Sequence, residues 1–97
     1  MNVASNHQNF LVPAREIQHR VEKLQAVLQE MDITVAYMDF ITDLFYFTGS
    51  IQKGVILIPA SGNPVYIVKK SLLRAEAESS LAPQPYPGRK GLQKRIR

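Results

Sequence analysis

Ten acidic or imidazole side chains of this 97-residue chain are candidates for metal binding or proton transfer. They are the carboxylates and imidazoles of Glu16, Glu22, Glu30, Asp32, Asp39, Asp43, Glu76, Glu78, His7 and His19. Hydrolysis at a two-metal site needs several carboxylates, and usually an imidazole, that converge on one point. Only Glu16, His19 and Glu22 fall near one stripe of a helix, and a solvated helix face is the simpler interpretation of that spacing. The sequence predicts no catalytic residue and no metal ligand in this chain.

Other motifs for catalysis or phosphate binding are absent from the sequence. There is no cysteine, which excludes disulfides, thiolate zinc sites and thiol nucleophiles. No G-x-S-x-G, G-x-x-x-x-G-K or G-x-G-x-x-G pattern occurs. Residues 1–10 lack the apolar stretch of a leader, and no apolar run is long enough for a membrane span. These absences predict a cytoplasmic protein.

The net charge of +4 comes from the carboxyl-terminal end. Five of the twelve cations lie in residues 89–97, so residues 1–88 carry seven cations against eight acids. Such a tail could contact phosphates with a salt-dependent affinity, but no aromatic residues are interleaved with it for base stacking. A solvated tail is the preferred interpretation, and nucleic-acid binding is a minor alternative.

The residues most open to a functional role lie in the segment 42–53, T-D-L-F-Y-F-T-G-S-I-Q-K. Tyr46 and Thr48 bring hydroxyl groups to a turn between two buried strands, where they could bind a substrate or order a neighbouring loop. The alternative is that Tyr46 packs in the core and Thr48 caps the turn. Gln52 and Lys53 are predicted to be exposed loop residues that can reach a partner.

The first element that must position this segment is a helix. Apolar residues recur every three or four positions from Ala14 to Met31, which predicts a helix with one buried stripe and with Pro13 in its first turn. The polar residues of the other faces are expected to meet water, namely Arg15, Glu16, Arg20, Glu22, Lys23, Gln25 and Glu30. The β-branched, apolar run 33–38 then predicts a strand covered on both faces.

A short element follows this strand, in which Ile41, Leu44, Phe45 and Phe47 are predicted to form a helical turn. Thr42 is its candidate N-cap, and Gly49 is free to take a positive φ and end it. Phe45 and Phe47 are expected in the core because aromatic side chains bury large areas.

The second half of the chain predicts a hairpin and another helix. Residues 54–60 and 65–69 read as strands joined by the turn formers of 61–64. Ser71 is the candidate cap of a helix that ends near residue 79, with Glu76 and Glu78 turned to solvent. Residues 82–88 suit an edge strand or an extended connector, and 91–97 read as the first turns of a further helix.

The order of these elements predicts an α/β domain with a mixed β-sheet flanked by helices. Residues 1–12 are expected to form a flexible arm whose last residues dock, and residues 13–97 a single domain whose sheet is truncated at its carboxyl end. The run Phe45-Tyr46-Phe47-Thr48-Gly49, the hairpin sequences V-I-L-I-P and V-Y-I-V, and the helix sequence R-V-E-K-L-Q carry a resemblance. They resemble the amino-terminal domain of the creatinase, prolidase and aminopeptidase P family, over roughly residues 14–92.

This resemblance implies a ribonuclease H-like arrangement and a role as an accessory domain. In the family, a larger carboxyl-terminal domain binds two divalent metal ions, such as Mn or Co, and peptidase members cleave the bond before proline. That catalytic domain is not recognisable in this chain, so the resemblance implies no cofactor and no activity for the chain alone. Its implied partners are its own catalytic domain and a second subunit, in a homodimer.

The resemblance also implies which residues meet the substrate cleft or the partner subunit. Carried over, they are Tyr46, Thr48, Gly49, Ser50, Gln52 and Lys53. Two positions depart from the common family pattern, because Ser50 replaces an aromatic or bulky apolar residue and Phe47 replaces leucine. The alternative to a peptidase domain is a stand-alone α/β interaction module that pairs through an exposed sheet edge.

Overall fold

The computed structural model describes residues 10–87 of the chain. In this part, helices and strands follow one another in the order α1 (Ala14–Glu30), β1 (Val35–Met38), α2 (Ile41–Thr48), β2 (Gly54–Pro59), β3 (Val65–Val68), α3 (Leu72–Glu78) and β4 (Gln84–Pro85). The predicted α/β class is confirmed. The helix predicted for 91–97 and most of the predicted arm lie outside the described residues.

The strands form one mixed sheet in the order β1-β2-β3-β4. β1 is antiparallel to β2, β2 and β3 form the predicted antiparallel hairpin, and β4 runs parallel to β3 at the edge of the described sheet. The register pairs Ala36 with Ile58 and Ile56 with Tyr66, so these side chains share one face of the sheet. The intervening residues of each strand point to the other face.

The larger core lies on the face that carries Ile56 and Tyr66. Its buried side chains come from the sheet, from all three described helices and from the segment before α1, and they are Val12, Ile17, Val21, Leu28, Leu44, Ile56, Ile58, Tyr66, Val68 and Ala75. Burial of each large apolar side chain contributes on the order of 1.5–3 kcal/mol, so this cluster fixes the helices on the sheet. Val12 is part of it, which means that the end of the predicted arm is docked.

A smaller apolar cluster lies on the opposite face. Val55, Leu57 and Ile67 are its buried members. β2 is therefore covered on both faces, as predicted, but β1 is not, because Tyr37 is 47% exposed. The prediction of a fully covered first strand is wrong because an apolar, β-branched run does not distinguish an edge strand from a central one.

The stripe predicted for α1 is buried only in part. Ile17, Val21 and Leu28 are buried, whereas Val27 and Met31 are 46% and 61% exposed. Pro13 directly precedes the first helical residue instead of occupying it. Within the described part of the chain, every helix is too short or too polar to span a bilayer.

Two glutamines of α1 hold the turn after β2. The side-chain amide of Gln25 donates to the carbonyl oxygens of Pro59 at 2.9 Å and of Gly62 at 2.8 Å. That of Gln29 donates to the carbonyl oxygen of Ala60 at 2.6 Å. The expectation that Gln25 only faces water is wrong, because the turn exposes carbonyl groups that need donors.

Both predicted N-caps are wrong in detail. α2 begins at Ile41 after Phe40, so Thr42 is already inside the helix. Ser71 does precede α3, but its φ of 60° is left-handed and its side chain makes no capping hydrogen bond, because an N-cap needs an extended backbone.

Of the aromatic residues expected in the core, Phe47 packs against it and Phe45 is 38% exposed.

Candidate functional site: the Thr-Gly loop

The Thr-Gly loop, which comprises residues 48–53, leads from α2 into β2. α2 ends because Gly49 adopts φ +79°, a left-handed conformation that glycine takes without strain. Its N–H donates to a carbonyl oxygen one turn back in α2 at 2.8 Å. The Thr48 hydroxyl donates to the carbonyl oxygen of Leu44 at 2.6 Å and accepts from the N–H of Ser50 at 3.0 Å. Gly49 thus ends the helix as predicted, and Thr48 caps the turn.

Glu78, the last residue of α3, binds the loop from one side. Its Oε1 atom accepts hydrogen bonds from the Ser50 hydroxyl at 2.8 Å and from the Ile51 N–H at 3.2 Å. The side-chain amide of Gln52 donates to the same carboxylate, 3.3 Å from Oε1 and 3.2 Å from Oε2. The Gln52 N–H donates to the Ser50 hydroxyl oxygen at 3.1 Å. One carboxylate therefore binds three successive residues of the loop.

Tyr66 supports the loop from the sheet. It lies on β3 and is fully buried. Its hydroxyl donates to the carbonyl oxygen of Gln52 at 2.7 Å and lies 3.1 Å from the Ser50 hydroxyl oxygen. A buried tyrosine needs a partner for its hydroxyl, because an unpaired buried polar group is costly. The loop supplies that partner, so α2, β3 and α3 all hold its backbone.

The environment of Glu78 favours its ionised form. Burial raises the pKa of the carboxyl group, but the hydrogen bonds from Ser50, Gln52 and the Ile51 N–H lower it. The positive charge of Arg74 acts in the same direction as these hydrogen bonds. The net result is a pKa below the ordinary glutamate value. An ionised carboxylate only accepts hydrogen bonds, which is the role that the loop requires of it.

The environment of Tyr66 favours its neutral form. Burial raises the pKa of the phenol, and the negative charge of Glu78 also raises it, whereas hydrogen bonds with Ser50 and Thr48 lower it. The net shift is upward. The phenol therefore keeps its proton at neutral pH and donates it to the carbonyl oxygen of Gln52.

Tyr46 occupies a separate position at the end of α2. The Arg20 guanidinium lies over its ring, with Cζ 4.4 Å from the ring centroid. Arg20 Nη1 also donates to the Tyr46 carbonyl oxygen at 2.9 Å, while Nε pairs with Glu16 at 3.0 Å. The ring makes an edge-on contact with Phe47 at a centroid distance of 4.8 Å. Tyr46 remains 46% exposed, so its ring is held in place and still accessible.

A family model for the creatinase/prolidase N-terminal domain matches residues 20–95. This range includes α2, the Thr-Gly loop, Tyr66 and Glu78, and it covers more than half of the chain. The chain belongs to the creatinase/prolidase N-terminal domain family. The resemblance carried by the F-Y-F-T-G run and the hairpin is thereby confirmed. A comparison with curated proteins gives no match.

The six residues predicted to contact the cleft or partner have different surroundings in this creatinase/prolidase N-terminal domain. The buried ones are Thr48, Gly49 and Ser50, the half-buried one is Gln52, and the exposed ones are Lys53 and Tyr46. Ser50 and Gln52 meet at the Glu78 carboxylate, whereas Tyr46 contacts Arg20 instead. The buried residues can influence a contact only through the shape of the loop, and the exposed ones can make it directly.

Three residues of the site were not anticipated from the sequence, namely Arg20, Tyr66 and Glu78. Ile51 lies within the recognised run but was not singled out. The expectation that Glu78 faces solvent is wrong, because its carboxylate binds a loop 26 to 28 residues away along the chain. No local sequence pattern indicates a contact between residues so far apart along the chain. Tyr66 did carry a signal, since a phenol inside the apolar run V-Y-I-V must find a buried partner.

Residues 10–87 contain no group of three His, Cys, Asp or Glu side chains that could hold a metal ion. Glu16, His19 and Glu22 line a shallow depression on α1. Glu16 is paired there with Arg20. This surface has the solvated character that the sequence favoured.

Proposed function

We propose that this chain is the non-catalytic amino-terminal domain of a Xaa-Pro peptidase of the prolidase and aminopeptidase P type. In this proposal, two divalent metal ions are bound by a separate carboxyl-terminal domain and act on the bond before proline. The chain helps to shape the substrate cleft and to form a homodimer. A cytoplasmic location belongs to the same proposal. Membership of the creatinase/prolidase N-terminal domain family supports it.

The observation that carries the proposal is the construction of the Thr-Gly loop. Three elements fix its backbone, yet Ile51 is 58% exposed and Lys53 is also exposed. Binding residues commonly lie on loops that a rigid scaffold positions. A fixed loop that presents one apolar and one cationic side chain is suited to contact another protein surface or an anionic group of a substrate.

The residues of the loop divide between contact and support in this proposal. Lys53 and Ile51 contact the catalytic domain, the second subunit or the substrate, and Tyr46 adds an aromatic surface nearby in the chain. Gln52 supports the loop through Glu78, with part of its surface accessible. The buried residues Thr48, Gly49 and Ser50 give the loop its shape.

The test compares the 97-residue chain with the longer, two-domain protein that the proposal expects. The chain alone, with Mn or Co, is expected to leave a Xaa-Pro dipeptide uncleaved, and the longer protein is expected to cleave it. Ile51→Ala and Lys53→Ala in the longer protein are expected to lower kcat/KM by about tenfold each, because a contact worth about 1.4 kcal/mol is lost. Lys70→Ala, at another exposed lysine, is the matched control.

Cleavage by the chain alone would refute the non-catalytic role. Unchanged kinetics in the Ile51→Ala and Lys53→Ala variants would refute the contact role of the loop. Melting temperatures of all variants must be compared in parallel, since only a kinetic loss without a stability loss supports a contact.

The second candidate is a stand-alone interaction module that pairs through β1. Its supporting observation is the exposure of apolar side chains in and beside this edge strand, including Tyr37 at 47% and Phe40 at 65%. Exposed strand edges invite pairing with another chain. Sedimentation as a monomer at all concentrations, with no partner recovered from lysate, would contradict this candidate.

A further inference from the structure

The Thr-Gly loop takes a carboxylate acceptor from another element, Glu78 of α3. The Ile51 N–H has the Glu78 carboxylate as its acceptor. The Gln52 N–H binds the Ser50 hydroxyl, and that hydroxyl in turn donates to Glu78. Two successive backbone donors of the loop therefore rely on this carboxylate, one directly and one through a serine.

We infer that Glu78 is the positioning residue of the Thr-Gly loop, and that α3 controls through it how Ile51 and Lys53 are presented to a partner. The presentation to a partner rests on the proposed function. The positioning itself rests on the contacts within this chain. Glu78 forms its hydrogen bonds with the Ser50 hydroxyl, the Ile51 N–H and the Gln52 side chain, so it acts on the exposed side chains of Ile51 and Lys53 through the shape of the loop.

The rest of the network cannot replace the carboxylate. The Tyr66 hydroxyl donates to the carbonyl oxygen of Gln52 and lies against the Ser50 hydroxyl, and its oxygen is not the partner of the Ile51 N–H. Thr48 already accepts the N–H of Ser50. Removal of the Glu78 side chain would thus leave Ile51 N–H, the Ser50 hydroxyl and the Gln52 amide without this acceptor.

Few titratable groups influence the charge of Glu78 in the described structure. Arg74 on the same helix and the Tyr66 phenol on β3 are the titratable groups that interact with it. The loop itself contributes the neutral side chains of Ser50 and Gln52. The phenol stays neutral below neutral pH, so protonation of Glu78 is the event that weakens the loop on acidification.

The test is amide hydrogen exchange by NMR on the 97-residue chain. Glu78→Ala removes the acceptor, Glu78→Gln keeps an acceptor oxygen without the charge, and Glu76→Ala is the matched control at an exposed glutamate of the same helix. In Glu78→Ala, the amides of Ile51 and Gln52 are expected to exchange at least about tenfold faster, because each loses a hydrogen bond that depends on the carboxylate. The amides of β2 serve as the internal reference for global stability.

A pH series on the parent chain and on Glu78→Gln gives a second, independent readout. After correction for intrinsic exchange rates, loop protection in the parent chain is expected to fall as pH drops through the lowered pKa of Glu78. Glu78→Gln is expected to lose this dependence and to show intermediate protection at neutral pH.

Equal loop exchange in Glu78→Ala and Glu76→Ala would overturn the inference. If Glu78→Ala does not fold, identical protection and identical pH dependence in Glu78→Gln and the parent chain would overturn it instead. Neither readout involves a catalytic domain. Failure of the proposed function would therefore leave these measurements unaffected, and their failure would leave the proposed function open to its own test.

Discussion

Tyr66→Phe isolates the hydrogen bond that joins the sheet to the Thr-Gly loop. The phenyl ring fills the same buried space, so the substitution leaves no cavity and removes only the hydroxyl. The hydroxyl donates a 2.7 Å hydrogen bond to the partly buried carbonyl oxygen of Gln52. A buried hydrogen bond contributes about 1 kcal/mol, and a buried acceptor left without a partner costs about 1–3 kcal/mol. We expect the free energy of unfolding to fall by about 1–3 kcal/mol.

The assay is urea denaturation followed by circular dichroism, with the midpoint and slope both recorded. Tyr37→Phe is the control, because Tyr37 is 47% exposed and a surface change of this kind is expected to stay within about 0.5 kcal/mol. The double variant with Glu78→Ala adds a further test. Since both residues hold the same loop, we expect their effects to be non-additive by at least about 0.5 kcal/mol.

A loss below about 0.5 kcal/mol in Tyr66→Phe, equal to that of Tyr37→Phe, would contradict a stabilising role for this hydrogen bond, because water would then replace the hydroxyl without cost. Strict additivity with Glu78→Ala would refute the claim that the two residues act on one loop.

Three further perturbations test other contacts of the fold. Gly54→Ala is expected to cost about 1–3 kcal/mol in urea denaturation, because its Cβ would run into the backbone carbonyl oxygen of Ile67. The stability contributed by Glu78 is expected to be fully present above the ordinary glutamate pKa and to be lost as pH falls through the lower pKa of the folded state. Urea denaturation at a series of pH values, on the parent chain and on Glu78→Gln, would detect this loss. Arg20→Ala is expected to cost about 0.5–2 kcal/mol, since it loses the hydrogen bond and the ring contact to Tyr46.

Each of these has a matched control at an exposed site. Ser61→Ala, Glu76→Gln and Arg15→Ala are expected to stay within about 0.5 kcal/mol of the parent chain. A Gly54→Ala chain as stable as Ser61→Ala would contradict the close strand approach. A Glu78→Gln chain whose stability falls with pH as that of the parent chain does would contradict the role of the ionised carboxylate. Equal losses of stability in Arg20→Ala and Arg15→Ala would contradict the role of Arg20 in holding Tyr46.

The elements of the fold could be predicted where the pattern of side chains is local. The period of α1, the buried run of β2, the turn residues after it and Gly49 at the end of α2 all act within a few positions, so the sequence indicates them directly. The position of β1 at the sheet edge could not be predicted, because it depends on which strands lie beside it. Thr42 and Ser71 do not cap their helices for a related reason. Their residue types permit a capping hydrogen bond, but the backbone at these positions does not have the conformation of an N-cap.

The candidate site could be predicted as a segment but not as a network. The run from Tyr46 to Lys53 was recognised, whereas the carboxylate that binds it lies on α3 and the phenol that supports it lies on β3. Both contacts span between 14 and 28 residues of sequence, and no periodicity encodes them. Tyr66 shows what a residue-level signal can offer, because its hydroxyl required some buried partner without identifying it.

The most direct test of the central claim is Xaa-Pro dipeptide cleavage by the 97-residue chain and by the product of its full coding sequence, read on the order of 250 codons beyond Arg97, the upper range of a single domain. We expect an open frame with the Asp, Asp, His, Glu, Glu ligand order, metal-dependent cleavage by the longer protein and none by the chain alone. Cleavage by the chain alone, or a coding sequence with no peptidase domain, would contradict it.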